Sequence, residues 1–171
     1  MILQRSAPFA AVAAAVAMLA AAVLVLFPPA THAAPARGAI VTTKATSLGR
    51  VLVNSRGRTL YLFVKDRSGK SACSGQCAGA WPPLITKGKP QVAGGAKASL
   101  IGTTKRADGR LQVTYNHHPL YTFIKDTKAG QTSGEGVNAF GAIWDVVSTA
   151  GAKIVKTSPP SGGGGYSGYT P

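Results

Sequence analysis

Acidic residues are scarce. Five Asp and Glu stand against 19 Lys and Arg in 171 residues, a formal net charge of +14. Cysteine is scarcer still, at two. The chain contains no Gly-x-Ser-x-Gly elbow and no His-Glu-x-x-His helix, so the hydrolase templates built on those parts do not apply. It has no helix-turn-helix, zinc-finger or aromatic RNA-binding signature, and only Lys105-Arg106 are adjacent among the basic residues. That scatter argues for non-specific attraction to polyanions rather than sequence-specific nucleic-acid binding. Beyond the N-terminal segment no window carries a sustained helical stripe, apart from a short turn around Cys77 to Trp81, which leaves a mainly β reading.

What is present begins with an export signal. Arg5 precedes an almost unbroken apolar stretch from Ala7 to Phe27, then Pro28-Pro29 and the small-residue run Ala30-Thr31-His32-Ala33-Ala34. This is the order of a secretory signal peptide, with cleavage expected near Ala33 or Ala34. The apolar core approaches the ~20 residues that span a bilayer, so retention as an N-terminal anchor is the alternative. No cysteine follows it to accept a lipid. Residues 1–33 are therefore assigned to the signal peptide, 34–46 to a linker, 47–149 to a two-repeat β domain and 150–171 to a disordered Gly/Pro/Ser tail. The mature part keeps a net charge of +13, a surface drawn to teichoic acids, acidic polysaccharides and anionic lipids.

The internal repeat is the strongest feature. Leu60-Tyr61-Leu62-Phe63-Val64-Lys65-Asp66 aligns without gaps onto Leu120-Tyr121-Thr122-Phe123-Ile124-Lys125-Asp126, with five of seven residues identical at a constant offset of 60. Each module closes on a tryptophan, Trp81 and Trp144. Val51 to Val53 with Thr59 to Val64, and Leu111 to Tyr115 with Leu120 to Ile124, read as two hairpins, and Ile143 to Val147 as a further strand. The expected architecture is mainly β: two pseudo-repeated antiparallel modules, residues 47–84 and 101–149, sharing one small core.

Within each motif the tyrosine and phenylalanine lie two apart and so share a strand face. Tyr61, Phe63, Tyr121 and Phe123 are thus candidates for a core or for ligand contact. Asp66 and Asp126 fall where strands end, positions at which aspartate caps turns. Two of only five acids at one repeated place keep a ligand role open, and an acid/base pair is the third reading. Cys73-Ser74-Gly75-Gln76-Cys77 in an exported chain reads as a disulfide. The sharper alternative is a redox or copper site made of Cys73, Cys77 and His117 or His118. No other cofactor is implied.

The run from Leu60 to Asp66, Cys73 to Ala78 and Trp81-Pro82-Pro83-Leu84 resembles a secreted-repeat family with a Tyr-x-(Phe/Trp/Tyr)-x-x-Asp motif, also described as predicted lipoproteins. Val113-Thr114-Tyr115-Asn116, His118-Pro119-Leu120-Tyr121, Asp126 and Trp144-Asp145-Val146-Val147 carry the same resemblance in the second module. It implies a secreted or envelope-attached protein whose activity is unassigned. His117 stands where relatives tend to show Asn-Gly, so a turn is expected there at some strain. The resulting expectation is a non-enzymatic envelope module contacting an anionic wall polymer or membrane surface, with the redox or copper protein as the alternative.

Overall fold

The structure, a computed structural model, describes residues 38–154. Residues 1–37, which include the segment expected to be a signal peptide, and the residues beyond Ile154 lie outside the described residues.

Strand β1 (Ile40–Thr46) and strand β2 (Gly49–Asn54) form an antiparallel hairpin with Lys44 opposite Val51. Residues 40–46 were expected to be part of a linker. They form a strand instead, because Ile-Val-Thr-Thr is β-branched and Val41 is fully buried. Next come β3 (Tyr61–Phe63), the short helix α1 (Gln76–Ala80), β4 (Ile85–Thr86) and β5 (Gln91–Val92), which pairs parallel to β1. Strands β6 (Ile101–Lys105), β7 (Leu111–Tyr115) and β8 (His118–Pro119) follow, then β9 (Val137–Ala139) and β10 (Ala142–Val146). Three sheets result, ordered β2-β1-β5, β3-β10-β9 and β4-β7-β6, with β8 on β7.

Neither expected hairpin is completed within its own repeat. In the first, Val53 bridges Thr59, and Asn54 Oδ1 accepts the amides of Arg56 and Arg58 to make the turn. Beyond that the chain leaves β2, and β3 pairs with β10 of the second repeat. In the second, β7 pairs with β8 across the turn and Leu120 N–H donates to Val113, but residues 121–124 form no strand, and Tyr121 makes only isolated bridges to Tyr61 and Pro83.

A strand exchange explains both departures. Leu52 N–H donates to Val147, Val147 N–H to Leu60, and Leu60 N–H back to Leu52, at 2.9, 3.0 and 2.9 Å. The same cycle recurs with Val113, Leu84 and Leu120, at 2.8, 2.9 and 2.9 Å. Val147 belongs to the second repeat and closes the first; Leu84 belongs to the first and closes the second.

Strand alternation then sorts the core into two layers. Leu60, Leu62 and Leu52 join Val41, Val113, Tyr115, Leu120 and Val147 on one side. Tyr61, Phe63, Val51 and Val53 join Trp81, Tyr121, Phe123, Trp144 and the cysteines on the other. The ordered domain also runs past residue 149, where the tail was expected to begin: Lys153 bridges Val147, and Ile154 N–H donates to Val146 at 3.0 Å. Those two bonds extend the edge of the domain, which the Gly/Pro/Ser composition farther along obscured.

Candidate functional site

The exchange extends to the motif side chains. Tyr61 Oη donates to Asp126 Oδ2 at 2.5 Å, and Tyr121 Oη donates to Asp66 Oδ2 at 2.8 Å. Each tyrosine thus serves the aspartate of the other repeat. The other carboxylate oxygens face equivalent loops, Asp126 Oδ1 accepting Ser133 N–H at 2.9 Å and Asp66 Oδ1 accepting Ala72 N–H at 2.7 Å. Phenylalanines cross over as well. Phe63 stacks on Trp144, Trp144 on Trp81 and Trp81 on Phe123, with centroids 4.1, 4.1 and 4.0 Å apart and planes within 17° of parallel. Tyr61 meets Trp81 edge-on at 5.3 Å and Tyr121 meets Trp144 edge-on at 5.0 Å. This column of four rings is the centre of the molecule, and the preference of aromatic rings for stacked and edge-to-face contacts gives it a specific geometry.

The two Tyr–Asp pairs differ in their surroundings. Asp126 is fully buried. Gly134 closes over its tyrosine partner, donating its N–H to Tyr61 Oη at 3.2 Å and lying so close that an added Cβ would stand 2.6 Å from Trp81 Cη2. Burial, then the hydrogen bond to Asp126, pushes the Tyr61 hydroxyl far above its ordinary pKa. Asp66 is only half-buried. Burial raises its carboxyl above the usual value, while Ala72 N–H, Tyr121 and the Arg106 charge act in the opposite sense. The Tyr121 hydroxyl is raised by burial first and by the Asp66 charge second.

The loop carrying Asp66 is fixed by residues that the sequence did not single out. Buried Arg106 reaches across from the second repeat and donates to Ser71 Oγ at 2.8 Å, to Gln112 Oε1 at 2.6 Å and to the Cys73 carbonyl at 2.6 Å. Ser71 Oγ in turn lies 2.7 Å from Tyr121 Oη. An adjacent basic pair, Lys105-Arg106, was visible in the sequence, but nothing there distinguishes the buried member.

Cys73 and Cys77 form the disulfide, with Cα atoms 5.3 Å apart and both residues buried. Both sulfurs are bonded to each other, so neither is a free thiolate for copper. His117 ends the turn after β7 and His118 opens β8, and both line a hollow with Asp66, Ser68, Gly69, Asn116 and Pro119, which contains neither cysteine. Among the described residues no group of three or more His, Cys, Asp or Glu is placed to hold a metal ion. The acid/base reading also lacks a shared cleft, since Asp126 has no exposed surface while Asp66 opens outward.

His117 does adopt the left-handed backbone that the turn requires, with φ 66°, beside Asn116 at φ 48°. Burial, then the neighbouring His117, lowers the pKa of His118, which favours its neutral form.

Reciprocal strand closure and crossed Tyr–Asp and Phe–Trp pairs define a tandem-repeat β protein whose halves complete one another. Residues 42–85 and 102–148 match the family described as a secreted repeat of unknown function, and the chain belongs to that family. No curated protein and no solved structure matches the chain.

Proposed function

We propose that the chain is a non-catalytic module of the cell envelope that binds an anionic wall polymer or membrane surface through its cationic exterior. The supporting observation is how the charges are partitioned. Of the sixteen Lys and Arg among the described residues, fourteen are exposed. The acids are withdrawn: Asp126 and Asp145 are buried, and Asp66 and Glu135 half-buried. Only Asp108 is exposed, and it pairs with Arg110 at 2.7 Å. The fold therefore places nearly all of its positive charge in solvent and almost none of its negative charge, which concentrates polyanions at its surface.

The test is retention on purified anionic wall polymer, and on anionic lipid vesicles, across a salt series. Charge contacts between exposed groups are screened as the Debye length falls from about 10 Å at 0.1 M salt toward 3 Å at 1 M. Binding that weakens steeply with salt is the expected result. Binding unchanged up to about 0.5 M salt contradicts the reading, because screened contacts must weaken.

A further inference from the structure

The repeat duplicates the Tyr–Asp pair, and the fold treats the copies unequally. Asp126 is fully buried, with Ser133 N–H on its Oδ1. Asp66 instead faces two adjoining hollows of about 380 and 390 Å³, which share Asp66, Asn116 and His118. Together they form one groove of a size ordinary for small-ligand sites.

Three features mark this groove as a prepared site. The first is backbone strain. Four non-glycine residues among those described have left-handed φ, and Ser68, Asn116 and His117, at 50°, 48° and 66°, all line the groove. Such conformations persist where the surrounding structure over-determines them, and they cluster at binding sites. The second is rigidity: Arg106, Ser71 and the disulfide pin the loop that follows Asp66. The third is chemistry. Arg67 and Lys153 are exposed cations on the groove wall, and the Asp66 carboxylate and the His118 ring supply hydrogen-bonding groups inside it.

We propose that this groove is the specificity subsite for an anionic polyol, a unit carrying adjacent hydroxyls together with a phosphate or carboxylate. The inference rests on the polyanion reading above and names which polyanion is preferred. Hydroxyl groups donate to Asp66, as Tyr121 already does from the protein side, while the anionic group lies toward Arg67 and Lys153. A bare polyphosphate satisfies the cations but sets its oxygens against the Asp66 carboxylate, where like charges repel. A charged polyol satisfies both.

The experiment measures binding of the full chain at one moderate salt concentration to poly(ribitol phosphate), to a polyuronate and to polyphosphate of matched charge. At least one of the two polyol probes is expected to bind ten-fold or more tightly than polyphosphate, and the stronger arm identifies phosphate or carboxylate as the anionic group. Asp66→Asn is expected to remove that preference, weakening the polyol probes that donate to the carboxylate and strengthening polyphosphate binding as the repelling charge is lost. His118→Ala removes the second hydrogen-bonding group of the groove and leaves both cations in place; it is expected to reduce the preference several-fold in a chain whose thermal unfolding stays cooperative. Equal binding of all three probes by the natural chain overturns the groove proposal alone, as does a preference that survives in both variants. No binding of any probe overturns the polyanion reading and this inference with it.

Discussion

Tyr61 and Tyr121 exchange two main-chain hydrogen bonds, Tyr61 N–H to Tyr121 at 2.8 Å and Tyr121 N–H to Tyr61 at 3.0 Å, and their hydroxyls reach opposite aspartates. The two repeats meet at this bridge, and the stacked tryptophans repeat the relationship one layer deeper. A repeat in this protein is therefore a unit of sequence rather than a unit of folding.

The pairs should differ in their energetic weight. Tyr61→Phe leaves a fully buried carboxylate short of a donor, which costs about 2–3 kcal/mol when the partner cannot be resolvated. Tyr121→Phe exposes the same defect at half-buried Asp66, where water can replace the hydroxyl, and about 1 kcal/mol is expected. Urea unfolding of the two variants checks the difference. Equal losses would show that the openness of Asp66 has no energetic meaning.

Strand exchange makes a second prediction. A fragment of residues 38–94 lacks β10 and the Val147 link that closes β2 to Leu60, and of the four stacked rings it keeps only Phe63 and Trp81, without the Trp144 that lies between them. Such a fragment is expected to lack cooperative unfolding and the near-ultraviolet circular dichroism of packed tryptophan, and residues 38–154 are expected to show both. A cooperatively folded half would contradict the exchange.

Much of the frame was legible in the residues. The 60-residue offset, the shared face of Tyr61 and Phe63, the strand at Leu111 to Tyr115, the turn at Asn116-His117 and the disulfide all follow from local spacing and chemistry. The exchange was not legible, because pairing between distant segments leaves no periodic mark: nothing local to Leu84 or Val147 says which repeat it closes. The same holds for the site. Asp66 and Asp126 are equivalent in sequence, and what separates them is full burial on one side and a hollow on the other. Lys153 falls in a segment whose composition suggests disorder, and the β-branched run Ile40-Val41-Thr42-Thr43 lies in an Ala-, Pro- and Thr-rich stretch without a sustained period.

Asp145 supplies a pH prediction. It is buried opposite Leu62, its Oδ2 has no protein hydrogen-bond partner, and burial raises its pKa against the opposing attraction of Lys153. A native carboxyl pKa raised above the ordinary 3.8 means that the folded state holds the proton more tightly than the unfolded one. The associated stability is present below about pH 4 and is lost as pH rises through the raised native value. Asp145→Asn is thus expected to match the natural chain near pH 3.5 and to exceed its melting temperature at pH 7. Thermal unfolding across that range decides it, and a variant less stable at pH 7 would contradict the assignment.

The most direct test of the account compares Asp126→Asn with Asp66→Asn, measuring stability by urea unfolding and polyol-over-polyphosphate preference by binding. The sealed pair holds the fold together and the open one faces a ligand, so Asp126→Asn is expected to lose stability while its folded fraction keeps the preference. Asp66→Asn is expected to keep most of its stability and lose the preference. If both substitutions lower stability alike and leave the preference alike, the two copies have the same job and the division of labour proposed between them is wrong.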